Sequence, residues 1–347
     1  MFYRNINLMS LNKNEGVLLI NLGSPKELSK KSVREYLKVF LSDDNVVDLP
    51  KMLQQFLLRF FILPFRPKKT LEAYELIWTK EGSPLIVSTQ SIAEKLSKKT
   101  GWTVEYAMRY EDPSIENALL NLKNKGIKKI NVISLYPHNA MATTITTEME
   151  TRLVANNVDK DFELVFTKPF FDNEIYIDAM TNTIKPYLEN ESFDKIIFSY
   201  HGIPKRQAMK TDETGEHCFS TNACCELENL GSKDCYRSHT RIASDLTAKK
   251  LGLNESEWEI AYQSRIGPGW LTPFTDKRLA QLPEEGKDKI AILCPSFISD
   301  CLETLEEIDI RGRKTFIDAG GKEMTYIPCL NDSDDTIKLL ENLIESS

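Results

Sequence analysis

The feature that most constrains this chain is an alternation that runs its whole length: short apolar runs, bounded by turn residues, separated by longer stretches whose apolar residues recur every three or four positions. Short runs rich in Val, Ile and Leu suit strands buried on both faces, and the longer period suits helices that cover them. That pattern predicts βα units feeding a parallel sheet. The strands fall at Val17–Asn21, Val104–Met108, Ile130–Ser134, Leu164–Thr167, Ile196–Ser199, Glu259–Gln263, Ile290–Cys294 and Thr325–Ile327. Helical periodicity marks Val33–Leu41, Pro84–Lys98, Ser114–Asn124, Ile175–Leu188, His239–Leu251, Ser299–Ile310 and Ser333–Ile344. At 347 residues the chain exceeds the size at which a single core keeps growing, and four strands fall on each side of residues 160–180. The expected fold class is therefore α/β, with two flavodoxin-like lobes, each a roughly four-stranded parallel sheet flanked by helices. An N-terminal lobe spans 15–170, a C-terminal lobe 171–330 and a closing helix 331–347.

Several classes of function drop out. The net charge is −7 and no dense Lys/Arg face exists to displace phosphate counterions, so no nucleic-acid partner is expected. No G-x-G-x-x-G follows a strand and no G-x-x-x-x-G-K-[ST] occurs, so no nucleotide cofactor is expected. The polar stretch Met1–Asn14 lacks the apolar core and small-residue cleavage site of an export signal and reads as a cytoplasmic start. The most apolar run, Phe56–Phe65, is about half the ~20 residues a membrane helix needs and is broken by Arg59 and Pro64. On its residues alone it reads as a helix buried in the core, with Met52, Phe56, Phe60 and Leu63 on one helical face and Leu53, Leu57 and Phe61 beside them.

In open parallel sheets ligands bind beyond the carboxyl ends of the strands. Here those ends read Asn21-Leu-Gly-Ser-Pro25, Met108-Arg-Tyr110, Ser134-Leu-Tyr-Pro137, Ser199-Tyr-His-Gly-Ile-Pro204, Gln263-Ser-Arg265 and Cys294-Pro-Ser-Phe297. His201 is one of only four histidines (138, 201, 217 and 239), and it sits at a strand end before Gly202 and Pro204. A lone strand-end histidine is often structural. A helix starting just past another strand end strengthens the functional reading, with Ser299 as its expected cap and Glu303 and Glu307 one turn apart on a shared face. An acidic helical stripe is usually a solvated face, but Glu303 lies where the site should open. An imidazole and a carboxylate converging there can ligate a divalent cation or move protons.

Gly16–Pro25, Glu-Gly-Ser-Pro-Leu at 81–85, Met-Arg-Tyr at 108–110, Ser-Tyr-His-Gly-Ile-Pro at 199–204, Gln-Ser-Arg at 263–265 and Cys-Leu-Glu-Thr-Leu-Glu-Glu at 301–307 together resemble the ferrochelatase family, in family order from about residue 15 to 346. The resemblance implies an enzyme that inserts Fe2+, as substrate, into protoporphyrin IX to give protohaem and two protons. It implies His201 and Glu303 as the metal-binding and proton-handling pair. It places Phe297, Ser299 and Asp300 in the pocket wall, Trp270 against the macrocycle, and Tyr136 and Arg109 in the opposite lobe. Two departures stand out: Cys301 occupies a position where some members have histidine, and Arg311 interrupts the acidic stripe beyond Glu307. In the family the segment about 45–70, with Phe56, forms the lip of the porphyrin cleft and touches the membrane. The implied contact is peripheral, on the inner membrane face, with Lys68 and Lys69 meeting headgroups or propionates. Coproporphyrin III or cobalt as alternative substrates, and a non-catalytic haem or iron carrier, use the same residues. The chain is a monomer or a homodimer on this reading.

Four of the seven cysteines, Cys218, Cys224, Cys225 and Cys235, crowd into the segment about 210–238 with spacing C-x5-C-C-x9-C. Four thiols so close in a reducing compartment suit a thiophilic metal: an iron–sulfur cluster, zinc, or none, with His217 or His239 able to replace a thiol. Some bacterial ferrochelatases carry a [2Fe-2S] cluster on cysteines in this region. Cys294 and Cys329 read as core residues.

Overall fold

The computed structural model describes residues 14–221, 223–226 and 231–346. The stretch 1–13, expected to be a cytoplasmic start, and residues 222 and 227–230 of the cysteine segment lie outside the described residues.

Eight strands form two four-stranded sheets. The first contains β1 (Glu15–Asn21), β2 (Thr103–Met108), β3 (Lys129–Ser134) and β4 (Glu163–Phe166); the second contains β5 (Lys195–His201), β6 (Trp258–Gln263), β7 (Lys289–Leu293) and β8 (Glu323–Tyr326). Every pairing is parallel, and the orders β2-β1-β3-β4 and β6-β5-β7-β8 are the same topology used twice. Each strand predicted from the apolar runs is present.

The period of two along β1 explains the layers. Val17 and Leu19 point into one core and Leu18 and Ile20 into another, all four fully buried. Each such side chain contributes roughly 1.5–3 kcal/mol through apolar burial. The Val17/Leu19 core is shared between the lobes, since Ile92 and Leu96 meet Tyr176, Ala243, Ile298, Leu330 and Leu340 there. The closing helix Asp334–Glu345, capped by Ser333, packs on helices Pro84–Thr100 and Glu174–Asn190 and so lies in the seam between the lobes.

Three local expectations need correction. Ser299 does not cap the acidic helix: its buried hydroxyl accepts from Ser88 Oγ of the N-terminal lobe at 2.9 Å. The cap is Cys301, paired reciprocally with Thr304. The acidic helix is also not uniformly α-helical, because after one turn (Leu302–Thr304) it widens into a π-helix over Leu305–Gly312. The apolar run behaves similarly: helix Lys51–Leu57 widens at Leu58–Ile62, which shifts the register. Leu58 and Leu63 are buried, whereas Met52, Leu53, Phe56, Phe60, Phe61 and Phe65 are exposed. The core-helix reading is thereby excluded, and Leu63 leaves the face it was expected to share with Phe56 and Phe60.

Candidate active site

His201 is the last residue of β5, the strand flanked by β6 and β7, so it stands where the strand order of the second sheet reverses. Its Nδ1 lies 2.7 Å from the carbonyl oxygen of Gly202. A carbonyl only accepts, so Nδ1 carries a proton, and in the neutral ring the lone pair falls on Nε2. The backbone is fastened as well. The His201 N–H donates to Ser296 Oγ at 3.1 Å, and the His201 carbonyl accepts from the Tyr236 hydroxyl at 2.8 Å. Phe297 meets the imidazole edge to face at 6.3 Å.

Gln263, at the end of β6, joins this histidine to the acidic helix. Its carbonyl accepts from Gly202 N at 2.8 Å, and its Nε2 donates to the Glu303 carbonyl at 2.8 Å. No hydrogen bond links the side chains of His201 and Glu303 among the described residues; the two flank Gln263. The two glutamates expected on one face have different neighbours. Glu303 is turned towards the Cys301 thiol and, in the N-terminal lobe, the buried phenols of Tyr36 and Tyr74. Glu307 accepts from Ser264 N at 2.8 Å and Ser264 Oγ at 2.5 Å and lies close enough to His201 that a protonated imidazole there would favour its carboxylate. Burial raises the Glu307 carboxyl above its ordinary pKa despite those bonds, His201 and Arg311. The π-helical turn between the two residues changes the phase that α-helical spacing would give. Leu302 packs with Tyr36, Tyr74 and Tyr110, so the start of the acidic helix docks on the N-terminal lobe.

Beside Glu307 opens a cavity of about 220 Å³ lined by Gln263, Ser264, Arg265, Asp276 and Arg311 among others. That is below the ~300–1,000 Å³ of sites for drug-sized ligands and suits ions and water. Trp270 is half-buried and pairs through its backbone with Pro204; a Cβ on Gly202 would lie 3.3 Å from its ring and 2.7 Å from the Gln263 carbonyl. In the N-terminal lobe Tyr136 is buried, with its hydroxyl towards Thr147. Arg109 is spent on an internal network: it donates to Asp43 at 2.7 Å and Thr146 at 2.9 Å and lies over the Tyr110 ring. Asp300 likewise holds structure, accepting from Tyr326 Oη (2.5 Å), Thr304 Oγ1 (3.1 Å), Cys329 N (3.3 Å) and Asn331 Nδ2 (2.7 Å). Phe56 is exposed and meets Phe60 and Phe61 in tilted pairs at 5.2 and 5.8 Å. Gln263, Ser264, Tyr236 and Ser296 were not singled out from sequence as site residues. Their contribution depends on register and on helix starts that no local pattern encodes.

The four clustered thiols come together. Cys218 Sγ lies 3.9 Å from Cys235 Sγ, Cys224 Sγ lies 3.8 Å from Cys225 Sγ, and Arg237 reaches Cys224 Sγ at 3.7 Å. The Cys225 thiol donates to Cys235, whose pKa is brought down to about 6, while burial pushes Cys218 up to about 12. Four soft sulfur donors brought this close are a donor set that fits a thiophilic metal. Among the described residues no three His, Cys, Asp or Glu side chains yet surround a common ion position. His239 serves structure, donating from Nε2 to Lys233 O while Nδ1 accepts from Asn139 N. Cys294 and Cys329 are buried, as expected of core residues.

Comparison with known proteins agrees with this geometry. Solved structures of the chelatase SirB from Bacillus subtilis, one with Fe3+ and one, from subspecies spizizenii, with cobalt, superpose with TM-scores of 0.54 over 96% of this chain at 11% and 9% identity, which establishes a common fold. The ferrochelatase of Stutzerimonas stutzeri is 41% identical over 334 residues, covering 95% of this chain and 97% of its own; that of Opitutus terrae is 39% identical over 337 residues, covering 96% and 97%. The family model for ferrochelatase matches residues 14–347, and with that coverage the chain belongs to the ferrochelatase family, the metal-inserting lyases.

Proposed function

We infer that this chain inserts Fe2+ into protoporphyrin IX, exchanging two pyrrole N–H protons for the metal and releasing protohaem. The observation that carries the reading is the fixed tautomer of His201: with Nδ1 committed to Gly202, the neutral ring presents the Nε2 lone pair at the strand end where ligands bind. That lone pair can take a pyrrole proton or hold the incoming iron. Glu303, on the other side of Gln263, supplies a carboxylate that helps strip water from the cation. Trp270 and Phe297 give the flat ring apolar walls.

The test is anaerobic incubation with Fe(II) and protoporphyrin IX, followed by the loss of porphyrin fluorescence. The wild type should turn over, and His201→Ala and Glu303→Gln should each lose most activity; unchanged rates in both variants would defeat the reading. Parallel assays with coproporphyrin III and with Co(II) decide between this substrate pair and its nearest alternatives. A carrier would load porphyrin equally well after Glu303→Gln.

Two further assignments rest on the same reading. Cys218, Cys224, Cys225 and Cys235 would hold a [2Fe-2S] cluster, which supplies a one-electron redox centre when bound. Their pairwise proximity supports this, and a visible spectrum of anaerobically purified protein tests it. The exposed rings of Phe56, Phe60 and Phe61, flanked by Arg59, Arg66, Lys68 and Lys69, suit peripheral contact with an anionic membrane surface. No helix among the described residues is long and apolar enough to cross a membrane.

A further inference from the structure

The backbone of His201 belongs to a closed ring of hydrogen bonds. Its N–H donates to Ser296 Oγ (3.1 Å), the Ser296 hydroxyl and Tyr236 hydroxyl are 2.8 Å apart, and Tyr236 donates to the His201 carbonyl (2.8 Å). The protons are consistent only one way round: Tyr236 spends its single proton on the carbonyl, so Ser296 donates to Tyr236 and accepts from His201 N. Each hydroxyl then gives one bond and takes one.

The ring joins three elements. His201 ends β5, Ser296 follows β7, and Tyr236 opens the helix Tyr236–Leu251. Tyr236 is only 5% exposed and packs edge to face on His138 at 5.8 Å, so the phenol has little freedom to move. The preceding residue, Cys235, occupies the N-cap position of that helix and contacts Cys218. A rearrangement of the thiols that moved Cys235 would therefore move the first residue of the helix, and with it the phenol that holds the His201 carbonyl.

We propose that Tyr236 is a positioning residue for His201 and that it couples the cysteine segment to the active site through this ring. The inference rests on the assignment of His201 as the reacting imidazole. The coupling needs no contiguous path beyond two adjacent residues and one hydrogen bond, which makes it open to a double-mutant cycle.

Tyr236→Phe removes one hydroxyl and leaves the packed ring. It should lower kcat about ten-fold, roughly the worth of one buried hydrogen bond, while leaving the KM for porphyrin unchanged. Ser296→Ala breaks the same ring from β7 and should give a similar kcat loss with less than additive effect in the double variant. It also keeps the test available should Tyr236→Phe fail to fold. A readout independent of turnover comes from the imidazole 15N resonances, which are tractable with four histidines. Cys235→Ser should shift the His201 ring signals in the wild-type background and leave them in place once Tyr236 is Phe. The proposal is overturned if both ring variants keep wild-type kcat, or if Cys235→Ser moves the His201 signals equally in both backgrounds. His201→Ala is the control: if it too retains activity, the assignment of His201 as the reacting imidazole fails, whereas loss in His201→Ala alone sinks the positioning role and the coupling and leaves that assignment standing.

Discussion

Glu307 takes both hydrogen-bond donors of Ser264, the backbone N–H at 2.8 Å and the hydroxyl at 2.5 Å. Ser264 reaches this arrangement with φ at 62°, a left-handed conformation that is strained for a residue with a Cβ and is often found at functional sites. The strain aims two donors of one residue at one carboxylate beside the imidazole.

The electrostatics of Glu307 give a pH prediction. Burial holds its carboxyl above the ordinary value of 4.5, against the opposing effects of Ser264, His201 and Arg311. A carboxyl whose folded pKa is raised stabilises the fold fully below the unfolded pKa, and that contribution is lost as pH rises through the folded value. Glu307→Gln lacks the titration. Its stability relative to wild type should therefore improve as pH rises from the ordinary carboxylate range towards neutrality. Urea unfolding midpoints across that range read the difference directly, and a gap that stays constant with pH contradicts the assignment.

A second prediction concerns Gly202, whose carbonyl sets the His201 tautomer. A Cβ there would lie 2.7 Å from the Gln263 carbonyl and 3.3 Å from the Trp270 ring. Gly202→Ala must push the turn away from β6, displacing both the tautomer-setting carbonyl and the tryptophan. Iron insertion should fall by about ten-fold or more, because a displacement of about 1 Å is enough to spoil a reacting geometry. Trp fluorescence of the folded variant should change as well; wild-type kinetics with an altered Trp270 signal would separate the ring wall from the catalytic turn.

The sequence exposed the parts of this molecule that depend on local periodicity. β1 is legible because Val17 to Ile20 is buried on both faces, which leaves a continuous apolar run. The positions of His201 and Glu303 are legible because the first ends a strand and the second opens the helix that follows the next strand but one. The parts that stayed hidden depend on tertiary register. Nothing local marks the widening of the acidic helix at Leu305, yet it separates the surroundings of Glu303 and Glu307. Ser299 has the chemistry of a helix cap, but its position between the lobes gives it to Ser88 instead. Arg109, expected among the substrate-binding polar residues of the opposite lobe, is held by Asp43, a partner 66 residues away that no spacing rule reveals.

The exposed aromatic edge yields a third prediction. Phe60 is 57% exposed, so Phe60→Ser should change folding stability by no more than about 0.5 kcal/mol. If the edge inserts into a lipid surface, the same change removes apolar burial worth roughly 1.5–3 kcal/mol, and partition onto anionic phospholipid vesicles should weaken about ten-fold or more. Co-sedimentation with vesicles measures it. Equal partition of variant and wild type would leave the edge as part of the cleft only.

Asp300 separates a pocket role from a structural one. Its two oxygens take four donors, from Thr304, Tyr326, Cys329 and Asn331, which tie the start of the acidic helix to the loop that follows β8. Replacing it by Ala leaves those donors without an acceptor in a half-buried site, at a cost of about 2–4 kcal/mol for a network of this kind. Asn retains one acceptor oxygen and should recover part of that stability. A carboxylate serving mainly as pocket wall would behave differently: Asp300→Asn would raise the KM for porphyrin and leave the unfolding midpoint nearly unchanged. The network predicts the reverse, a lowered midpoint with KM near wild type, because every oxygen of Asp300 is turned towards protein donors. Urea unfolding together with steady-state kinetics on Asp300→Asn distinguishes the two, and a KM effect without a stability effect would return Asp300 to the porphyrin wall.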